Sequence, residues 1–395
     1  MSDRKYKPGK HFLQLPGPSN VPDRILNAMC YPTIDHRGPE FSELALKCLS
    51  GIKTIFKTKN PVIIFPASGT GAWEAALVNT LNDGDNVLMV ETGHFASLWN
   101  NMAQKLGLKV ELLKTDWRQG LDPNEIEKRL RLDADKKIKA VCIVHNETST
   151  GCTSDVKAVR EILDNLNHDA LLMVDSISGL ASMNYEHDDW GVDITISGSQ
   201  KGLMLPPGLS FNAISEKAIN ASKKSALKKS YWDWDEHLEF NRTGFFPYTP
   251  ATNLLFGLKE AIEMLHEEGL DNVFKRHEKH ALATRAAVQA WGFENVCKEE
   301  KDFSNVLTAV MLPENHNADN LRKIILENFN MSLGAGLSKL AGKVFRIGHL
   351  GDFNDLMLMG TLNGLELGFE IAGIPYQKGG TAKATEILVD KSPNI

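Results

Sequence analysis

Short apolar runs alternate with segments of helical periodicity through most of the chain. Residues 61–66, 86–90 and 140–144 are almost wholly apolar over the length of a strand, a pattern typical of strands that are buried on both faces of a sheet. Residues 40–58 instead repeat apolar side chains every three or four positions, which predicts an amphipathic helix. The repeated alternation of strands and helices predicts an α/β fold with a mostly parallel sheet.

The pattern changes twice along the chain, and these changes predict the domain boundaries. Three prolines and a glycine in residues 11–22 exclude regular structure there, so residues 1–22 are expected to form an extended N-terminal strap. From about residue 270 the predicted helices become longer and the strands shorter. Because 395 residues exceed what one hydrophobic core usually supports, we expect a large domain over 23–268 and a smaller C-terminal α/β domain over 269–395.

Composition and charge limit the classes of function. The chain is 42% apolar and 24% charged, and its net charge of −6 gives no basic footprint for nucleic acid. No apolar leader follows residues 1–7, and no apolar run reaches the roughly 18 residues of a spanning helix. We therefore expect neither a nucleic-acid nor a membrane partner. The one basic cluster is interpreted as a solvated helix face and consists of Lys223, Lys224, Lys228 and Lys229.

The cysteines and histidines predict no metal site. The five cysteines lack CxxC spacing, which argues against a zinc ribbon or a disulfide scaffold and fits a reducing compartment. The cytoplasm is therefore the expected location. His277 and His280 lie one turn apart on a predicted helix, but no carboxylate is spaced to complete a metal site. We expect both histidines on the solvated surface.

Lys201 ends a run of β-branched residues and is surrounded by serine, glycine and proline in the segment 196–208. An ammonium group buried at the end of a strand costs several kcal/mol unless it is paired, neutralised or used covalently. Lys201 is therefore a candidate for Schiff-base chemistry, and the alternative is a surface lysine on an ordinary turn.

A second apolar run, 170–174, ends in Asp175. Strand ends of an open α/β sheet meet at one crevice, so Asp175 and Lys201 would present opposite charges to the same ligand. A cofactor with an aldehyde for the amine and a basic ring nitrogen for the carboxylate explains this pair, and pyridoxal 5′-phosphate is that cofactor. A buried salt bridge between the two residues is the alternative.

The segment Ser68-Gly69-Thr70 lies between a predicted strand and a strong helix-forming segment. Free backbone N–H groups at a helix N-terminus form an anion site. The sequence lacks the Gly-Lys-Ser/Thr of a Walker loop and the third glycine of a dinucleotide fingerprint. A single phosphate ester is favoured over a purely structural turn.

Other candidate side chains follow further strands. Phe95 lies just beyond a strand end, where an aromatic ring can stack on a planar ligand or fill the core. The polar loop 145–151 follows the strand 140–144. Arg346 is a charge within an apolar strand and needs a partner, for which a bidentate substrate carboxylate is suited. Arg37, in a polar turn, is a candidate for a substrate carboxylate or a structural salt bridge.

Taken in order, these segments resemble the class V aminotransferases of fold type I, and within them the serine–glyoxylate and alanine–glyoxylate branch. The resemblance covers almost the whole chain, and its most specific element is Ser197-Gly198-Ser199-Gln200-Lys201. The other matching segments are Pro16-Gly17-Pro18-Ser19-Asn20, Ser68-Gly69-Thr70, His145-Asn146-Glu147-Thr148, Val174-Asp175-Ser176, Thr249 and Arg346-Ile347-Gly348.

The resemblance implies a role for each matching residue. Lys201 would bind the cofactor as an imine and then move a proton at the substrate α-carbon, while Asp175 would keep the pyridine nitrogen protonated. Arg346 would bind the α-carboxylate of donor and acceptor. The cofactor phosphate would be held by Ser68, Gly69, Thr70 and Gln200, together with Thr249 of a partner subunit. Phe95 would stack on the ring and Thr148 would bond near its hydroxyl, so a homodimer with a shared active site is implied.

Two positions depart from the alanine–glyoxylate branch. Relatives there carry tryptophan at the position of Phe95 and tyrosine at the position of Phe246, so one phosphate contact between subunits is in doubt, and Tyr248 is a candidate to replace it.

The resemblance implies transamination of glyoxylate to glycine with a small L-amino acid as donor, serine first. Aspartate, for which Arg37 is a candidate second-carboxylate site, and alanine are the alternative donors. Cysteine desulfuration would need a thiolate on a mobile loop of the C-terminal domain, where only Cys297 lies. A non-catalytic protein of this fold would be expected to lack Lys201 or Asp175, and both are present.

Overall fold

The computed structural model describes residues 8–390. The segment 1–7, on which the absence of a leader was argued and with which the predicted strap begins, lies outside the described residues. The helices are α1 (Asp23–Met29), α2 (Pro39–Phe56), α3 (Gly69–Thr80), α4 (His94–Lys105), α5 (Pro123–Leu132), α6 (Val156–Asn165), α7 (Glu216–Ser222), α8 (Trp234–Asn241), α9 (Thr252–Glu268), α10 (Leu270–Ala290), α11 (Ala318–Phe329), α12 (Asp355–Ala372) and α13 (Gly380–Val389). The strands are β1 (Phe12–Gln14), β2 (Val62–Phe65), β3 (Asn86–Glu91), β4 (Lys109–Lys114), β5 (Ile138–Val144), β6 (Asn146–Glu147), β7 (Cys152–Thr153), β8 (Leu171–Asp175), β9 (Ile194–Gly198), β10 (Ser210–Ile214), β11 (Glu294–Asn295), β12 (Leu307–Met311), β13 (Met331–Ala335) and β14 (Val344–Gly348).

A seven-stranded sheet forms the centre of the molecule, in the order β2-β10-β9-β8-β5-β3-β4. Strand β10 runs antiparallel to both neighbours, and the remaining neighbouring pairs are parallel. The α/β fold with a mostly parallel sheet is therefore confirmed.

Alternate side chains of these strands enter two different hydrophobic cores. In β8, Leu172 and Val174 join one core, whereas Leu171 and Met173 join the other. Both faces of the sheet are thus covered by helices, which is why its strands read as continuous apolar runs.

A second, five-stranded sheet has the order β1-β13-β14-β12-β11. Its first strand comes from the strap, where Phe12–Gln14 pairs in parallel with β13. The expectation that residues 11–22 have no regular structure was therefore wrong at 12–14, because the prolines begin only at Pro16 and leave the preceding N–H groups free to pair.

Helices α9 and α10 are separated by Gly269 alone, which adopts a φ of 83°. This left-handed conformation suits glycine and lets the chain change direction between two long helices. We keep 23–268 and 269–395 as the proposed domains, since the strands of the seven-stranded sheet precede this glycine and β11 to β14 follow it.

Two sequence interpretations need correction. His277 and His280 are fully buried rather than solvated, because the segment around 351–355 covers α10: the Gly351 N–H donates to His277 at 3.0 Å, and His280 lies 2.8 Å from Asp355. The lysine cluster is not on a helix face, because α7 ends at Ser222. Among residues 8–390, no helix combines the length and the apolar character needed to cross a bilayer.

Candidate active site

Asp175 and Lys201 lie at the carboxyl edge of the seven-stranded sheet. Asp175 is the last residue of β8, and Lys201 follows the end of β9 by three residues. The two strands are parallel neighbours, with Asp175 opposite Ile196. Both side chains are buried and line one cavity, so the sheet topology brings together two residues that are distant in the sequence.

Hydrogen bonds fix the Asp175 carboxylate. It accepts from the Trp73 indole N–H at 2.9 Å and from the Ile177 backbone N–H at 2.8 Å. Burial, together with the negative charge of Glu147, raises the pKa of Asp175 to about 7, against the opposing effect of these hydrogen bonds and of Lys201. The carboxylate is thus held in one orientation, and a cationic partner would favour its charged form.

Lys201 is enclosed by the strap. Its Nζ donates to the Pro16 carbonyl at 2.7 Å, and the Ser19 hydroxyl donates to the Lys201 carbonyl at 2.9 Å. A methyl group added at Gly17 would lie 2.1 Å from Nζ. Burial, helped by the positive charge of Arg346, lowers the pKa of Lys201 to about 8, so the amine is more available as a nucleophile than that of an ordinary lysine.

The predicted anion site borders the same cavity. Ser68, Gly69, Thr70 and Gln200 all line it. Ser68 precedes the first turn of α3, and its side chain makes no capping hydrogen bond. Gln200 Oε1 is buried without a hydrogen-bond partner. Rotation of this side-chain amide by half a turn would place its NH₂ group there, where it could donate to a ligand oxygen.

Phe95 and Thr148 complete the cavity wall. Phe95 is half-buried in the first turn of α4. The Thr148 hydroxyl donates to Ser178 Oγ at 2.8 Å, and Asn146 Nδ2 donates to the same oxygen at 2.8 Å. The loop after β5 is therefore held against the loop after β8 where both border the cavity.

Arg346 reaches this region from β14 of the second sheet. It is buried, and its partners are backbone carbonyls: Nε donates to Ala335 and Nη1 to Thr148, each at 2.7 Å. Burial lowers the pKa of Arg346 to about 10. The charge of Glu147 raises the pKa of Arg346 against this effect of burial. Among residues 8–390, however, no carboxylate forms a salt bridge with the guanidinium, so an anionic ligand can contact it directly.

The structure does not bring Thr249 and Arg37 into this cavity. Both are exposed, and neither lines it. Within the described chain Arg37 forms no salt bridge; its backbone N–H donates to Asp35 in a local turn. The Tyr248 hydroxyl lies 3.2 Å from the Ser230 carbonyl and 3.1 Å from Glu236 of its own chain.

Sequence reasoning missed several residues of the site. Trp73, Ile177, Asn146 and Val144 line the cavity, and Pro16 contacts Lys201. Trp73 had a usable signal, because it lies in the first turns of the helix that follows the predicted anion site. Cys297 is not among the cavity-lining residues and is buried, with Sγ 3.5 Å from the Asp302 carbonyl, so it is not placed for desulfuration.

The chemistry of these residues fits pyridoxal phosphate. An oriented buried carboxylate suits the ring nitrogen, an amine of lowered pKa suits the aldehyde, and the uncapped start of α3 with the unpartnered Gln200 amide suits the phosphate. Asp175, Lys201, Ser68, Gly69, Thr70 and Gln200 are thus the residues that would hold it.

Comparison with known proteins agrees with this geometry. The family model "Aminotransferase class-V" matches residues 12–347. The serine–glyoxylate aminotransferase of Arabidopsis thaliana is 43% identical, covering 100% of this chain and 99% of the relative. The L-aspartate–glyoxylate aminotransferase of Paracoccus denitrificans is 42% identical, covering 94% of each chain.

Among solved structures, the ureidoglycine–glyoxylate aminotransferase of Bacillus subtilis superimposes with a TM-score of 0.90 at 26% identity, covering 98% of this chain and 100% of the other. The family uses pyridoxal phosphate. The chain therefore belongs to the class V aminotransferases, a family of pyridoxal-phosphate-dependent transferases of fold type I.

Proposed function

We propose that this enzyme transfers the amino group of L-serine to glyoxylate, giving hydroxypyruvate and glycine. The observation that carries the proposal is the cavity in which Lys201, Asp175 and the anion site meet beside the buried guanidinium of Arg346. Glyoxylate as acceptor, and serine as donor, are supported by full-length similarity to the Arabidopsis enzyme.

Each residue has a separate task in this proposal. The bound cofactor supplies the electron sink that makes the α-proton of the donor acidic. Lys201, whose pKa is about 8, would move the proton at the α-carbon of the donor. Asp175 would hold a proton on the ring nitrogen of the bound cofactor through a charge-assisted hydrogen bond. Arg346 binds the carboxylate that serine and glyoxylate share.

L-Aspartate is the second candidate donor, supported by the 42% identity to the Paracoccus enzyme. Its additional carboxylate would need a cation, and Arg37 is exposed and free of salt bridges within the described residues. Alanine, which needs no additional polar partner, is the third.

Separate additions of serine, aspartate and alanine to the purified holoenzyme should identify the donor. We expect serine to convert the absorbance of the bound cofactor from its aldehyde to its amine form fastest, and glyoxylate to reverse the change with formation of one glycine per site. Stopped-flow absorbance with quantification of glycine measures both half-reactions. Pyruvate replaces glyoxylate as the control acceptor. If none of the three donors yields glycine, the proposed function is wrong.

We also propose a homodimer with a shared active site. Thr249 and Arg37 are exposed outside the cavity of their own chain, which suits residues that act on a partner's site. Exposed apolar side chains on α1, on α2 and in the connection between them support burial of this segment by a second copy; they include Leu26, Tyr31 and Leu46.

We also propose a cytoplasmic location, which is supported by five free thiols.

Complementation between two inactive variants tests the shared site. T249E should inactivate because a carboxylate would face the cofactor phosphate, and K201A should inactivate through loss of the amine. A mixed dimer has one site with both defects and one with neither, so co-expression should restore activity. Tandem-tag purification of the mixed dimer followed by a glycine assay measures this. The control T385E carries the same change at an exposed position on α13. Mixed dimers without activity, or a monomeric wild type on analytical ultracentrifugation, would refute the shared site.

A further inference from the structure

Glu147 is a buried carboxylate held by hydrogen bonds rather than by a salt bridge. Its side chain is fully buried beside the cavity, and among residues 8–390 no lysine or arginine forms a salt bridge with it. Its charge acts on Arg346 from a longer distance and raises the pKa of that guanidinium, against the larger effect of burial. The carboxylate oxygens instead accept hydrogen bonds. Oε1 accepts from the Ser149 hydroxyl at 2.7 Å and backbone N–H at 3.0 Å, and from the Phe95 N–H at 3.4 Å. Oε2 accepts from the Ala96 N–H at 3.2 Å.

These bonds place Glu147 at the N-terminus of α4. The residue before this helix, Gly93, has no side chain to cap it. Ser149 Oγ accepts from the His94 N–H at 2.9 Å, and Glu147 accepts from the next two N–H groups. The cap of α4 is therefore supplied by a loop about fifty residues away in the sequence, and its negative charge also matches the positive end of the helix dipole.

The approach of Glu147 and Ser149 to the start of α4 explains why residue 93 is a glycine. Its φ of 173° is extended and would accept any residue. A methyl group there would nevertheless lie 2.4 Å from Glu147 Cγ and 2.5 Å from Ser149 Oγ. The glycine thus provides room for the carboxylate to reach the helix.

The loop 147–149 also contacts the substrate side of the site. The Thr148 carbonyl accepts from Arg346 Nη1 at 2.7 Å, while the Thr148 side chain lines the cavity. Three consecutive residues therefore join the helix that carries Phe95 to the strand that carries Arg346.

We propose that Glu147 is a positioning residue, which caps α4 so that Phe95 lies against the cofactor ring and holds Thr148 where it orients Arg346. This inference rests on the proposed function for the role of Arg346, but its effect on the cofactor is independent of which donor is used. Loss of the cap would therefore weaken cofactor binding and substrate binding together. The negative charge of Glu147 raises the pKa of Asp175 and partly offsets the positive charge of Arg346. Removing that charge alone would favour both ligands, so a net loss of affinity reports the positioning by the cap.

The test uses Glu147→Gln, which keeps the volume of the side chain but places an NH₂ group against backbone donors. We expect the Kd of pyridoxal phosphate for the apoenzyme to rise about 10-fold, and kcat/KM for serine to fall by a similar factor, mainly through KM. The visible circular dichroism of the bound cofactor, which reports how the ring is held, should decrease.

Asp133→Asn is the matched control. Asp133 is another buried carboxylate that accepts from backbone N–H groups, those of Lys137 and Ile138, at 3.0 and 2.7 Å. It differs from Glu147 in that His168 Nε2 also lies 3.3 Å from its Oδ2. It does not line the cavity. We expect Asp133→Asn to lower thermal stability while leaving cofactor affinity and circular dichroism unchanged.

Three results would overturn the proposal. Wild-type Kd and dichroism in Glu147→Gln would show that the charge is not needed. Equal cofactor losses in the two variants would show a merely structural role. If Glu147→Gln does not fold, Ser149→Ala provides the test, since it removes one donor to Glu147 and the acceptor of the His94 N–H. An unchanged Kd of pyridoxal phosphate in Ser149→Ala would refute the role of the cap.

Failure of the wild type to use serine would instead contradict the proposed function, because Kd and dichroism are measured without a donor.

Discussion

Replacement of Lys201 by alanine is expected to slow glycine formation from serine and glyoxylate by about 10³- to 10⁴-fold, since in the proposed function the amine both anchors the cofactor and moves the α-proton. The expectation rests on the enclosure of this side chain. Its Nζ donates to the Pro16 carbonyl, and Gly17 of the strap lies against the side chain. Among residues 8–390, Lys201 is also the one lysine that lines the cavity, so no other amine is placed to replace it.

Steady-state assays with saturating pyridoxal phosphate measure this loss without confusing it with loss of cofactor. Lys201→Arg keeps a cation but not a free amine, and it should be as inactive as the alanine variant. Lys223→Ala removes an exposed lysine and should have wild-type activity. Added methylamine should partly restore proton transfer in Lys201→Ala. A rate within about 10-fold of wild type for Lys201→Ala would contradict the assigned role, because proton transfer by a positioned side chain contributes at least about 10²-fold.

The central residues of this site were predictable because they depend on local patterns. A buried strand that ends in a charge identifies Asp175 and, through the loop after β9, Lys201. The carboxyl ends of parallel strands lie on one edge of a sheet, so their meeting follows from the fold class alone. The start of α3 was predictable for a similar reason, since a strand, a small-residue turn and a helix lie in succession at Ser68.

The supporting contacts were not predictable from local patterns. The bond from Trp73 to Asp175 joins residues 102 positions apart, and that from Lys201 to Pro16 spans 185 positions. Periodicity describes which face of one element is buried, but it does not state which distant element covers it. The same lack of information on tertiary contacts explains the wrong prediction for His277 and His280. Their polar character favoured exposure to solvent, whereas the segment leading into α12 covers them.

The strap lies where its sequence and its tertiary contacts together require it. Its prolines predicted an extended segment, and the structure shows where that segment lies. Gly17 would place a methyl group 2.1 Å from Lys201 Nζ, and a methyl group at Gly348 would lie 2.0 Å from the Leu15 carbonyl. The strap is thus packed between the reactive lysine and the strand of Arg346, and two glycines leave the room that it needs.

Replacement of Asp175 by asparagine is expected to lower the rate of glycine formation by about 10²-fold, because an uncharged side chain no longer favours a proton on the ring nitrogen. The same variant should change the pH dependence of cofactor capture by the apoenzyme. Capture needs the unprotonated Lys201 amine, so its rate should rise as pH increases through about 8 in the wild type. The charge of Asp175 raises the pKa of Lys201; its removal should therefore move the midpoint to lower pH.

Trp73→Phe separates the charge of Asp175 from its orientation. This change removes the 2.9 Å hydrogen bond that lowers the pKa of Asp175, so that pKa should rise above its value of about 7. Below this pKa the carboxyl group of the apoenzyme is neutral, so the pH profile of cofactor capture by Trp73→Phe should follow that of Asp175→Asn. As pH increases past the raised pKa the charge returns, and capture by Trp73→Phe should approach that of the wild type, whereas the midpoint for Asp175→Asn stays at the lower pH. Stopped-flow capture between pH 6 and 9 measures the three profiles. A wild-type midpoint at 10.5, the ordinary value for lysine, or a Trp73→Phe profile that coincides with the wild type throughout, would refute this electrostatic account.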